Sequence, residues 1–416
     1  MTVTTLTISG QLPRSTIVIG AGVVGMATAW SLARRGVAVT LVDAAMGPGE
    51  GASFANGGQL SYGYTDALAS PALLRKIPAL LLGRDAGLSF SPHFDPDELR
   101  WLLRFLRNAT NARFLANTSA GLALGVESRL AMHALLQQHP IDFGHRIAGK
   151  LLVYQDQAGF AAAGRLAELK QSHGAQTDIL TPDRARELEP ALATRRDPMV
   201  GAIHSPQDEL GDPHQFCCGL LAILTAQYGV VARFGTRVSS WDEAGSAAAV
   251  VTTMGERLVA DTLVVCAGTA SGRILKRLGL GSALLPMKGY SFTAPKGKAP
   301  LSMSVTDVAR KIVFCPLGNT VRVAGLAELG RRDTGIEPRQ IDYLRSLAVQ
   351  SLPDSADYTA TGRHWAGLRP MTANSQPIIA RVSPRVAINA GHGMLGWTFA
   401  MGAAERLAEI MGREWA

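Results

Sequence analysis

The sequence predicts an α/β protein in which a parallel-sheet domain is assembled from separated segments around an inserted α+β domain with a mixed or antiparallel sheet. Three observations predict it. An apolar strand, a glycine-punctuated turn, a helix and a second strand occupy "STIVIGAGVVGMATAWSLARRGVAVTLVDAA", residues 15–45. An apolar strand running into a glycine turn recurs at "DTLVVCAGTASGRIL" (261–275), and a strand, glycine-rich turn and helix recur at "RVAINAGHGMLGWTFAMGAAERLAEIMG" (385–412). Between them a run of short β segments, "GYSFTAP", "KIVFCPLG" and "TVRVAGLAEL", reads as a second, distinct sheet.

In chain order, residues 1–14 are polar, lack the long apolar segment of a signal peptide and read as a frayed tail. Residues 15–68 form the first part of the parallel-sheet domain, which resumes at 205–278 and 362–416; residues 69–204 and 279–361 form the inserted domain. The stretch "DELRWLLRFLRNATNARFL" from Asp97 puts Leu99, Leu102, Leu103 and Leu106 toward one helical face and Arg100, Arg104 and Arg107 on another. That pattern fits a domain helix with a solvated basic face or a helix lying on an anionic membrane surface. "KLLVYQD" reads as a strand, "GFAAAGRLAELKQSHG" as a helix closed by Gly174, and "MVGAIHSPQDELGD" as a strand and loop. Asp212 and Pro213 then open a helix as N-cap and first residue.

Composition narrows the function classes. With 47% apolar and 18% charged residues over 416 positions, the chain buries a large interior and exceeds one ordinary core. No apolar run, "IPALLLG" included, is long enough to span a bilayer, so the cytoplasm is the default compartment, with the inner face of the cell membrane as the alternative. The net charge of +8 is spread along the chain without a nucleic-acid-reading motif, which disfavours nucleic acid and leaves a membrane surface or an acidic substrate. Cys217, Cys218, Cys266 and Cys315 show no CxxC spacing, so reduced thiols are expected and no metal site is; the vicinal pair reads as buried packing.

The opening motif carries chemistry. Gly20, Gly22 and Gly25 form GxGxxG between strand and helix, the Rossmann-like arrangement: a tight turn, close approach of backbone to a pyrophosphate, and close helix–strand packing. Asp43, eighteen residues beyond Gly25 at the end of the next strand, is placed to accept hydrogen bonds from ribose hydroxyls. An acid there disfavours a 2′-phosphate, leaving NAD and FAD. No second GxGxxG unit with its own acid is present, a polar glycine-rich loop "GASFANGGQLSYGY" (51–64) follows at once, and "NAGHGMLGWT" opens another helix. The loop suits a longer cofactor, with Ser53 on phosphate and Asn56, Gly57, Gly58 and Gln59 near its ring. The amides and dipole of the last helix suit negative charge on a reduced isoalloxazine. All three features select FAD.

The motifs "GAGVVGMATAWSLARRG", "SFANGGQLSYGY", "DELGDPHQF", "PMKGYSF", "GLRPMTANSQPIIA" and "NAGHGMLGWT", from about Thr16 to Ile410, resemble in order and spacing the D-amino acid dehydrogenases of the D-amino acid oxidase superfamily. The resemblance implies non-covalent FAD, oxidative deamination of a D-amino acid to a 2-oxo acid and ammonia, and electrons passed to a membrane quinone. It makes Arg369 of "GLRP" the bidentate anchor of the substrate carboxylate, presenting the Cα–H to flavin N5. It also brings the Val238 backbone to the adenine.

Other assignments come from the residues. Tyr290 and Tyr62 are candidate hydrogen-bond partners or lids, each equally suited to packing. Lys288 sits near the flavin or holds a strand by its stem. Gly268 marks a close approach of a strand end to the cofactor. Gly391, His392 and Gly393 form a loop whose amides face the flavin, with the imidazole fixing that loop rather than acting as a base. Gly396 and Thr398 begin the helix behind the ring, Thr398 as a backbone or ring contact and Trp397 as packing. Substrate alternatives are D-proline and cis-4-hydroxy-D-proline; the acceptor alternative is O₂, and the non-enzymatic alternative is a redox-sensing flavoprotein.

Overall fold

The structure, a computed structural model, describes residues 12–81, 85, 87–93, 95–172, 174–245, 247–281 and 283–413. Most of the expected tail, residues 1–11, lies outside them.

The strand Ser15–Ile19 pairs in parallel with Ala38–Val42 on one side and with Thr262–Val265 on the other. Val231–Arg233 extends the sheet beyond Ala38–Val42, Val386–Ala390 pairs in parallel with Thr262–Val265, and Ile378–Arg381 closes the far edge antiparallel. Three stretches of chain far apart in sequence therefore build one six-stranded sheet. The helices Val23–Ala33, Pro213–Tyr228 and Gly396–Met411 cover one face, with Met26, Trp30, Phe216, Leu220, Trp397 and Leu407 buried between them. Asp212 caps Pro213–Tyr228 by accepting the amides of His214 and Gln215, as its sequence signature requires.

The second sheet is nine-stranded and mixed. Its central ladder runs Leu285–Pro295 between Thr320–Leu329 and His364–Met371, all antiparallel. The helix Pro338–Ser351 packs Ile341, Leu344 and Leu347 on it. His364–Met371, assigned from sequence to the parallel-sheet segment 362–416, instead pairs along Leu285–Pro295 and belongs to this sheet. A strand goes where its ladder partner is, which local pattern does not encode.

Two further expectations are corrected. The stretch from Asp97 is two helices, Pro96–Asn108 and Asn111–Gln138, broken where Thr110 caps the second by accepting the Arg113 amide. Its core face is Glu98, Trp101 and Phe105, while Leu99, Leu103 and Leu106 face solvent beside Arg100, Arg104 and Arg107. Of the vicinal cysteines, Cys217 is buried but Cys218 is exposed. No helix among the described residues is long and apolar enough to cross a membrane.

Candidate active site

A cleft of about 870 Å³ runs along the carboxyl ends of the parallel strands and is closed on its other side by the mixed sheet. Gly20 and Gly22 line it at the first turn. Gly20 has φ +109°, and a Cβ there would lie 2.5 Å from the Cys266 carbonyl oxygen. Gly25 is not in the cleft wall; a Cβ on it would lie 1.7 Å from the Gly20 carbonyl, so it serves close helix–strand packing. Gly22 caps the helix Val23–Ala33 without a side-chain acceptor, and Ser53 Oγ accepts the Val23 amide at 3.1 Å. The first helical turn is thereby aimed at the cleft with room for an anion.

Asp43 and Val238 line the same end of the cleft. The Asp43 carboxylate accepts the amides of Ala21 at 2.6 Å and Ala45 at 2.8 Å, which orient it while leaving lone pairs toward the cleft. Asn56 and Gly57 continue the wall. Their loop is pinned from the mixed sheet, because Ser291 Oγ donates to the Ala55 carbonyl at 2.7 Å and Arg322, paired with Asp212, donates to the Asn56 carbonyl. Gly58 and Gln59 leave the cleft: Gly58 (φ +72°) turns the chain against Cys315, and Gln59 starts a short strand paired with Leu210.

At the opposite end Gly268, Gly391, His392, Gly393 and Gly396 line the cleft with Trp397. Gly391 (φ +80°) and Gly393 (φ +55°) adopt backbone that side chains disfavour. His392 is buried, its imidazole pKa is driven down to about 3 by burial, and so it is neutral at any physiological pH. Thr398 lies behind the wall, its Oγ1 accepting the Ser61 amide at 3.0 Å. Among the described residues, His392 Nε2, Trp397 Nε1 and Asn389 Oδ1 are buried without a hydrogen-bond partner, and all three residues line the cleft. Unpaired buried polar atoms around a long, glycine-cradled cleft fit a polar cofactor of FAD length.

Arg369 projects into this end from His364–Met371. It makes no hydrogen bond or ion pair among the described residues, and desolvation lowers its guanidinium to about 10. Opposite it Gly289 clears the way: a Cβ there would lie 2.3 Å from Arg369 Nη2. A partly buried, unpaired guanidinium is costly unless an anion joins it. Tyr290 also lines the cleft, its hydroxyl donating to Glu328 at 3.2 Å; burial and that carboxylate push the phenol well above its ordinary range.

The other two expected site residues lie elsewhere. Lys288 is fully buried one step along the same strand face as Tyr290, and its Nζ donates to Asp333 at 2.9 Å and to the Gly335 carbonyl at 2.5 Å. It straps down the 331–337 loop, whose Thr334 and Ile336 do line the cleft. Tyr62 packs in the core beside Phe143 and Trp397, away from the cleft wall. Sequence reasoning missed Trp365, Thr334, Ile336, Arg237 and Arg273, all in the wall. Trp365 lies two residues before "GLRP", Arg237 directly precedes Val238 and Arg273 lies inside "DTLVVCAGTASGRIL", a signal that was there to use; Thr334 and Ile336 carried none.

The sequence profile of the DAO family, described as FAD dependent oxidoreductase, matches residues 15–410. The chain belongs to this FAD-dependent oxidoreductase family. It is 42% identical to "D-amino acid dehydrogenase 2" of Ralstonia nicotianae over 410 residues, covering 95% of this chain and 96% of that one. To "D-amino acid dehydrogenase" of Phenylobacterium zucineum it is 38% identical over 402 residues, 96% and 94% of the two chains. Among solved structures, glycine oxidase from Geobacillus kaustophilus superposes with TM-score 0.76 at 21% identity, over 97% of this chain and 96% of that one, a likeness of fold. This chain is thus an FAD-dependent oxidoreductase.

Proposed function

We propose that this FAD-dependent oxidoreductase oxidises D-amino acids to 2-oxo acids and ammonia and passes the electrons to a quinone-type acceptor. The observation that carries the reading is Arg369, an unpaired guanidinium set into the cleft opposite a glycine that makes room for it. The names of its relatives supply the stereochemistry.

Arg369 binds the substrate carboxylate as a planar fork, fixing the Cα–H toward the Gly391–Gly396 end. Bound without a covalent link, FAD supplies the hydride acceptor; the imino acid released is hydrolysed by water. Asp43 and Val238 hold the adenosine end, Gly20, Gly22 and Ser53 the pyrophosphate, and Asn56, Gly57, Gly268 and the Gly391–Gly396 turn the ring. Among the described residues, the only carboxylates in the cleft wall are Asp43 and Glu50, both at the adenosine end. His392, whose imidazole pKa burial drives down to about 3, is too weak a base to hold a proton and serves the loop. No side chain near Arg369 therefore takes the ammonium proton, and the amine binds neutral. Turnover at low substrate concentration rises with pH until the substrate's own ammonium is titrated.

Leu99, Leu103 and Leu106, exposed beside three arginines, give the quinone-side contact a surface: an amphipathic helix face suited to an anionic bilayer. Anaerobic titration of the flavin band with D- and L-isomers of alanine and proline, and with cis-4-hydroxy-D-proline, tests the reaction. Bleaching by D-isomers supports the proposal; bound flavin that no amino acid bleaches overturns it. Re-oxidation by a quinone analogue faster than by air supports the acceptor, and the reverse order makes the protein an oxidase.

A further inference from the structure

A second constellation lies outside the flavin cleft. Glu209, on the middle strand of the small sheet formed by 59–60, 209–210 and 146–147, is fully buried. Each of its carboxylate oxygens meets one imidazole: His133 Nε2 on one, His145 Nε2 on the other, both at 2.6 Å. His133 comes from the long helix Asn111–Gln138, and His145 immediately precedes the strand Arg146–Ile147. Three ligand atoms from three separate elements lie within 4.8 Å of one another. Both imidazoles are partly exposed, at 34% and 21% of the side chain, so an ion reaches them from solvent while the carboxylate is held from behind.

We propose that His133, His145 and Glu209 form a binding site for a divalent transition-metal ion of the zinc class. Two imidazoles and one carboxylate are the donors that borderline ions take, with a fourth position left to water; calcium and magnesium require more oxygens than these residues offer. The surroundings are stiff: Phe143 lies 5.2 Å from the His145 ring, tilted by 30°. The Tyr62 hydroxyl is buried without a partner among the described residues, and Glu209 is the largest charge acting on it. Binding asks no carboxylate proton and requires each ligating imidazole to carry its remaining proton on Nδ1. The ion would tie the Glu209–Leu210 strand to the elements that carry His133 and His145, and Leu210 pairs with Gln59, three residues beyond Asn56 of the cleft wall.

The test is calorimetric titration of Zn²⁺ into tag-free, chelator-treated, flavin-loaded protein, with the thermal midpoint read in parallel. One saturable ion per chain with a raised midpoint is expected. His133→Gln, at a partly exposed position, weakens binding about 10- to 100-fold and His133→Gln/His145→Gln abolishes it, with the flavin spectrum unchanged. Cys218→Ser serves as a control for the other exposed soft pair, Cys218 with His214 at 3.8 Å, and leaves binding intact. No saturable binding overturns the proposal. So does equal binding by wild type and His133→Gln, or binding lost in Cys218→Ser.

Discussion

The two walls of the cleft are built on opposite plans. The parallel-sheet wall is made of backbone: glycine turns, helix amides and one carboxylate fixed by two amides. The mixed-sheet wall presents side chains, Arg369 foremost among them, beside a loop tied down by Lys288. Backbone recognition tolerates no added atoms where it is closest, whereas side-chain recognition is tunable residue by residue. Substitutions in the first wall should therefore cost cofactor and fold, and those in the second should cost turnover with flavin retained.

The largest effect belongs to the packing that supports the first wall. Gly25→Ala places a methyl 1.7 Å from the Gly20 carbonyl oxygen; flavin-free or insoluble protein is expected, read from the ratio of flavin to protein absorbance. A Gly25→Ala protein with full flavin content would break the comparison. Next is Arg369→Lys, which keeps the charge but loses the fork: kcat/KM for D-alanine should fall on the order of 10²–10³-fold with the flavin spectrum intact. Gly289→Ala crowds the Arg369 guanidinium and should raise KM about 10-fold with a smaller change in kcat, as steady-state kinetics would show. Lys288→Met, which frees the 331–337 loop and leaves Asp333 in solvent, should lower kcat/KM about 3- to 10-fold without changing flavin affinity.

The smallest effect probes the seam between the walls. Lys150 lies on the mixed sheet with its Nζ donating to Ser61 at 2.9 Å, and burial lowers its pKa from 10.5 to about 8. Its folded pKa is below its unfolded one, so between those values the unfolded chain binds more protons and this lysine's contribution to stability grows as pH rises from about 8 toward 10.5. Midpoints of wild type measured against Lys150→Met across that range should show a relative gain for wild type. A constant difference would mean that Lys150 is charged alike in both states.

The same contrast governs what was legible in the sequence. Gly20, Gly22, Gly25 and Asp43 act through one strand–turn–helix–strand unit, so their geometry follows from neighbours in the chain, and the fold class followed with them. Arg369 was visible through its motif, but the sheet that carries it was not, because ladder partners lie some 80 residues apart, as Met287 and Arg369 do. Lys288 and Tyr290 share a strand face, and only the loop that covers one of them separates their roles. Tyr62 and Gln59 were drawn toward the flavin by proximity to Asn56, yet the chain turns away at Gly58 to pair with 209–210. His133, His145 and Glu209 carry no spacing signal at all: a helix, a strand and the residue leading into another strand bring them together.

The interleaving of the parallel sheet has a consequence for how the protein is made. Thr16 and Thr262 are ladder partners 246 residues apart, and the strand Val386–Ala390 completes the sheet beyond them. Closing so large a loop is slow, and the turn that ends the cofactor cleft follows that last strand. During synthesis the pair Ser15–Ile19 and Ala38–Val42 waits with both outer edges open until Val231–Arg233 and Thr262–Val265 leave the ribosome, and the sheet is completed only when residues near 390 follow. Cofactor capture is then expected late in folding rather than as its seed, with FAD as a lock on a fold already assembled.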